Sequence, residues 1–184
     1  MTRETFAERQ RQRWEYDPHA KEIDLALGCM IHHAAQAEYE IYHVLGGLLD
    51  SPHSGRITGA MQASTVLQAI QQIAKDCDDY DDEATAEIVQ LVSEAKEAFT
   101  KRNVYVHGMQ FADRGDEKTL ASKDRSRGAF RLVKFTAGDL YDLAEIFGRL
   151  CGGFCRWWEV HIAHEEPSKP GEIRARDFDV VPEE

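Results

Sequence analysis

Between Asp17 and Leu49 the apolar residues Ile23, Leu27, Met30, Ile31, Ala34, Ile41, Leu45 and Leu48 recur at three- and four-residue steps, the signature of one face of a long helix. Asp17-Pro18 provides a capping side chain and then a proline at the first helical position, where a missing N–H costs nothing. Turn residues in "DSPHSG" close that helix, and Met61, Leu67, Ile70, Ile73, Ala74 and Cys77 predict a second. The run "DCDDYDDEA" places acidic residues at the start of a third, where the helix dipole favours negative charge. That third helix carries Ile88, Leu91, Val92, Ala95 and Phe99 on one face and stops at His107-Gly108. From Met109 to Phe135 the helical period is lost, and Gly115, Gly128 and "AFRLVKF" predict a short hairpin or irregular insert. Thr136 then caps a last long helix with the stripe Leu140, Leu143, Phe147, Leu150, Phe154 and Trp158.

These elements predict an all-α fold, an antiparallel helical bundle of about four to five helices with the insert before the last long helix. Residues 1–164 form the single expected domain, with 1–16 a polar lead-in and 109–135 a basic insert. The tail 165–184 holds Pro167, Pro170 and Pro182 and is expected to be extended. Gly152 and Gly153 each cost the last helix about 1 kcal/mol relative to alanine. Their presence implies close approach by a crossing helix of the same domain or by a dimer partner.

Composition narrows the setting. At 184 residues, with 42% hydrophobic residues and no apolar run near the roughly 20 residues of a membrane span, the chain is expected to be soluble and cytoplasmic, with no membrane partner. The start "MTRETFAERQRQRW" lacks the apolar centre of a secretory signal. Cys29, Cys77, Cys151 and Cys155 have neither zinc-site spacing nor the density of a disulfide scaffold, so free thiols are expected. "DCDDYDDEATAE" has Asp81 where a calcium loop requires glycine, and acidic capping explains it better. His32, His33, His43, His161 and His164 give only a weak metal signal, so neither metal nor cofactor is expected. Phosphate loops, nucleophile elbows and dinucleotide motifs are missing from the sequence.

The stretch "FTKRNVYVHGMQF" concentrates chemistry at the end of the third helix. Arg102 falls within the stripe of Ala95, Phe99 and Val106, while Asn103 and His107, four residues apart, lie along its edge. A guanidinium on the core side requires an anion. One candidate is Glu38, which interrupts the first stripe between Ala34 and Ile41; with that pair, His107 would merely cap exposed carbonyls. The other candidate is a ligand phosphate, matched by the planar guanidinium fork.

"RNVYVH", Arg102 to His107, resembles the R-x4-6-H motif of the HEPN (higher eukaryotes and prokaryotes nucleotide-binding) superfamily, including the polar residue that often follows its arginine. The architectural resemblance covers roughly residues 18–164, but only Arg102, Asn103 and His107 match residue by residue. It implies a metal-independent ribonuclease of toxin–antitoxin, phage-defence or RNA-processing type, with RNA as substrate, two protomers sharing one cleft, and an antitoxin protein as a partner in toxin systems. Other members are non-catalytic binding or assembly modules, so the resemblance also implies that alternative.

Metal-free RNA cleavage needs a base for the 2′-hydroxyl, a cation for charge developing at phosphorus and an acid for the departing 5′-oxygen. An imidazole such as His107 exchanges protons near neutral pH. Arg102 supplies the cation, Asn103 can orient the hydroxyl or a phosphate oxygen, and a second protomer's motif would add the second imidazole. From Lys101 to Lys134 nine basic residues face four acidic ones, a net +5 in a chain of net charge −11, so the remainder carries −16. Lys101, Tyr105, Lys123, Arg125 and Arg127 are the candidate RNA contacts in or beside this cationic segment.

Overall fold

The computed structural model describes residues 5–77, 80–110, 117–123 and 130–164. The tail 165–184 and the insert residues Arg125 and Arg127 therefore lie outside the described residues.

Six helices and three short strands follow in the order α1 (Phe6–Tyr16), α2 (Pro18–Leu49), α3 (Ser54–Thr58), α4 (Ala63–Asp76), α5 (Asp82–His107), β1 (Met109–Gln110), β2 (Lys118–Lys123), β3 (Phe130–Phe135) and α6 (Ala137–His161). The fold is an all-α bundle with a small sheet inserted before the last helix, as the hydrophobic pattern predicts. Its helix starts are local chemistry. The Asp17 carboxylate accepts from the Ala20 N–H at 3.1 Å, and Asp81 accepts from Ala84 N–H at 2.8 Å. Thr136 and Asp139 form a reciprocal capping box at α6, and Thr5 with Glu8 forms another at α1.

Direction follows from which residues meet. His33 lies beside Gly148, the rings of His43 and Trp158 stack at 4.3 Å, and Gly47 abuts Ile162. Ten residues along α2 thus correspond to ten along α6, and these two helices run the same way. In α5 the partners advance in reverse: Phe99 meets Phe147, Leu91 meets Gly153, and the Ala84 carbonyl accepts from Trp157 Nε1 at 3.0 Å. So α5 is antiparallel to α6. The core between them is built from Met30, Ile41, Leu45, Leu67, Ile70, Ile88, Leu140, Phe147, Leu150, Phe154 and Trp157, all below 2% exposed.

The two adjacent glycines have different reasons. A Cβ on Gly153 would come within 2.6 Å of Leu91 Cδ2, so the crossing helix α5 approaches closely there and Leu91 would have to shift. A Cβ on Gly152 meets nothing within 4 Å. Two stripe positions also depart from expectation. Ile31 and Val106 are exposed, and Ala26, Ala37 and Val44 complete the α2 face instead. The buried face of α2 thus carries small residues as well as Ile23, Met30, Ile41 and Leu45.

The insert forms a three-stranded antiparallel sheet in the order β1-β2-β3, with Met109 paired to Ala121 and Leu120 to Val133. Leu120 and Phe135 are buried and join the sheet to the helical core. Gly108 ends α5 in an extended conformation, φ −73° and ψ 144°, and a Cβ there would meet Leu120 Cδ1 at 2.6 Å. The same Cβ would meet the Val104 carbonyl oxygen of α5 at 2.7 Å, so both the helix's own backbone and the sheet leave no room for a side chain at this helix stop. Lys118, nearly buried in β2, reaches Asp17 at 3.3 Å and ties the insert to the α1–α2 junction.

Candidate functional site

The last three turns of α5 form one wall of a cleft of about 1110 Å3. Lys96, Phe99, Thr100, Arg102, Asn103, Val104 and His107 line that wall. Glu38 and Tyr42 of α2 stand opposite; Met61 to Ser64 and Leu67, around the start of α4, close one side, and Ser122 of β2 closes another. The three motif residues therefore meet in a single depression.

Within it, Arg102 is held loosely. Its Nη1 donates to Asn103 Oδ1 at 2.9 Å, and Nη2 lies 3.6 Å from Glu38 Oε2. The guanidinium carbon sits 5.7 Å from the centre of the Phe99 ring. Its Nε is buried with no hydrogen-bond partner among the described residues. Both members of the ion pair keep water access, with 24% of the Arg102 side chain and 31% of the Glu38 side chain exposed. The sequence places Arg102 on the core side of α5; the structure puts it on the rim of the stripe, with the cation at the cleft. The candidate partner Glu38 is the carboxylate that reaches it.

His107, in the last helical turn, is exposed at the cleft's edge. Lys96 adds a second cation to the lining, and its Nζ donates to Gln71 Oε1 at 2.6 Å. The Tyr42 hydroxyl donates to the Met61 carbonyl, and burial first, then the negative charge of Glu38, raises its pKa above the ordinary value. The lining thus combines two cations, a carboxylate, an imidazole, two amides and hydroxyls over a hydrophobic floor made by Leu67 and Phe99.

The candidate RNA contacts separate. Lys101 is exposed on an adjoining shallow depression with Lys96, Glu97 and Thr100. Tyr105 turns away from the cleft towards the sheet, its ring 5.3 Å from that of Phe135, and burial followed by the nearby Asp139 charge raises its pKa. Lys123 is placed only by its backbone, at the end of β2 opposite Phe130. Among the described residues no three His, Cys, Asp or Glu side chains are grouped so as to hold a metal ion.

Lys96, Thr100 and Tyr42 were not singled out by sequence reasoning, yet a signal was present. Lys96, Thr100, Asn103 and His107 follow steps of four, three and four, and Tyr42 lies one turn beyond Glu38, so extending the motif along its own helix face would have found them. Gln62, Ser64 and Ser122 reach the cleft only through tertiary packing. No protein-family model matches the chain, and no curated protein or solved structure matches it at a significant level.

Proposed function

We propose that this protein is a metal-independent endoribonuclease of the HEPN type, working as a homodimer in the cytoplasm, in a toxin or phage-defence system. The observation that carries the proposal is the partly exposed Arg102 side chain lining one cleft with Asn103 and His107. The solvent-exposed part of the Arg102 side chain can meet a phosphate oxygen in the charge-assisted geometry that guanidinium favours.

In this reading one His107 takes the proton from the RNA 2′-hydroxyl, whose oxygen attacks the adjacent phosphorus. Arg102 neutralises the developing negative charge, and the His107 of a second copy protonates the departing 5′-oxygen. The products are a 2′,3′-cyclic phosphate and a 5′-hydroxyl. Lys96 lies on the same helix face and suits a neighbouring phosphate of the strand.

A second reading is favoured by one observation, the Arg102–Glu38 pair at 3.6 Å. A guanidinium already facing a carboxylate suits a catalytically silent HEPN-like module that recognises a protein partner or a nucleotide. Incubation with single-stranded and looped RNAs in EDTA, followed by analysis of the new ends, separates the two. Cyclic phosphates support the ribonuclease; cleavage only with divalent metal, or 3′-hydroxyl ends, overturns its mechanism. Binding without cleavage across many RNAs supports the module.

A further inference from the structure

The two longer strands of the insert carry charge of one sign. Lys118–Lys123 and Phe130–Phe135 contain Lys118, Lys123, Arg131 and Lys134 and no acidic residue, in a chain whose acidic residues outnumber its basic ones 33 to 22. Two of these cations are engaged, Lys118 with Asp17 at 3.3 Å and Lys134 with Glu117 at 2.6 Å. Arg131 is exposed and has no ion pair or side-chain hydrogen bond among the described residues.

The register sets Arg131 against the candidate site. It stands opposite Ser122, which lines the cleft, and the two share the sheet face that also carries the buried Leu120 and Phe135. Cβ atoms of directly opposed residues lie about 4.5–5.5 Å apart, so Arg131 is one strand beyond the cleft wall. Its neighbour Phe130 belongs to the other face and is 68% exposed, and Leu132 on that same face is 65% exposed. Strand β3 is the edge of the sheet, and among the described residues nothing pairs with its outer side.

We propose that this edge is a binding site for unpaired RNA outside the cleft, with Arg131 on a phosphate and the Phe130 ring stacked on the base of an adjoining nucleotide. It rests on the reading of the cleft as an RNA site and names the form of RNA that the site takes. A strand leaving the cleft at Ser122 meets Arg131 and then crosses the open edge to Phe130, one residue away. Cations that follow the backbone and an exposed aromatic ring that takes a base face are the two parts of single-strand recognition. A duplex offers phosphates to Arg131 but keeps its base faces stacked within the helix, so Phe130 selects unpaired RNA. A protein strand added to β3 is the competing occupant of an open edge. Charge favours RNA, because a polyanion matches two strands of purely basic charge, whereas a second copy of the same sheet brings like charges together.

The test is fluorescence anisotropy with a labelled 2′-O-methyl RNA strand, which lacks the attacking hydroxyl and stays intact, and with its duplex, at several salt concentrations. Phe130→Ala and Phe130→Leu should weaken single-strand binding by about 5- to 150-fold, the range of one lost base stack, and Phe130→Trp should retain it. Duplex binding should be indifferent to all three. Arg131→Gln should weaken binding to both forms and reduce the single-strand salt slope by ~0.7, the loss of one phosphate contact. Melting curves report that each variant remains folded. Unchanged single-strand affinity in Phe130→Ala overturns the proposal and leaves the edge to a protein strand; an equal loss on strand and duplex, or wild-type affinity in Phe130→Leu, overturns base stacking. Cleavage separates this from the reading it rests on. Binding that depends on Phe130 without any cleavage keeps the edge site and removes the ribonuclease, and cleavage whose KM ignores Phe130 and Arg131 does the reverse.

Discussion

Arg102→Ala removes the cation of the proposed site, and the structure sets how much stability should go with it. The ion pair with Glu38 joins side chains that are 24% and 31% exposed, so it is worth at most about 1 kcal/mol. The hydrogen bond to exposed Asn103 adds ~0.5–1.5 kcal/mol, and the contact over the Phe99 ring ~0.5–1 kcal/mol. Against these stands the unpartnered Nε, whose desolvation costs ~1–3 kcal/mol and is relieved by truncation. Glu38 is left with water access and no stranded charge. The terms largely cancel, so the net loss should not exceed about 2.5 kcal/mol, smaller than a fully core-facing arginine would give. Phosphate binding should suffer more, because lost charge-assisted hydrogen bonds are worth ~1.5–3 kcal/mol, roughly 10- to 100-fold in affinity. Arg102→Lys should keep nearly all the stability and still lose most of the binding, since a point charge replaces the fork. Glu38→Gln should tighten RNA binding by removing the competing carboxylate. Urea denaturation and RNA titration at fixed salt measure both quantities. A stability loss above ~3 kcal/mol for Arg102→Ala with unchanged RNA affinity refutes the reasoning and makes the arginine a structural member of the bundle.

Gly153→Ala should destabilise the bundle by ~1–3 kcal/mol through its clash with Leu91, whereas Gly152→Ala should be neutral or stabilising by up to ~1 kcal/mol; thermal melts of the two neighbours compare them directly. Tyr42 and Tyr105 have folded pKa values raised above the ordinary 10.0, so the contribution of their neutral forms is complete below pH 10 and is lost as pH rises through the folded values. Phenolate absorbance should show Tyr42 and Tyr105 titrating above the ordinary value, and Tyr42→Phe with Tyr105→Phe should flatten the alkaline loss of stability.

Features decided within a few residues of chain were legible in the sequence. Asp17, Asp81 and Thr136 start their helices because a side-chain oxygen and the N–H groups one turn ahead are enough to define a cap. The stop at Gly108 was legible too, since a Cβ there would meet the Val104 carbonyl one turn back as well as Leu120 of the sheet. Facing directions were less accessible. Ile31 carries an apolar side chain at a permitted step yet is exposed, while the small residues Ala26, Ala34 and Ala37 are buried. Tyr105 follows the motif arginine by three residues but packs on Phe135, a partner supplied by a strand thirty residues later. The parallel course of α2 and α6 depends on how the intervening elements return the chain, and no local pattern encodes it. At the site, the helix-borne members Arg102, Asn103 and His107 share a cleft as their spacing implies, while the α4 and β2 walls depend on packing.

His107 separates chemistry from scaffolding most cleanly, since it is exposed at the helix end and lies in the cleft without a core role. The direct measurement is RNA cleavage in EDTA by wild-type protein and His107→Ala, each with its melting curve. Loss of a general acid or base should slow cleavage by about 10²–10⁴-fold. The same change should alter stability by no more than about 1 kcal/mol, as exposed substitutions do. Wild-type cleavage by His107→Ala would contradict the ribonuclease assignment.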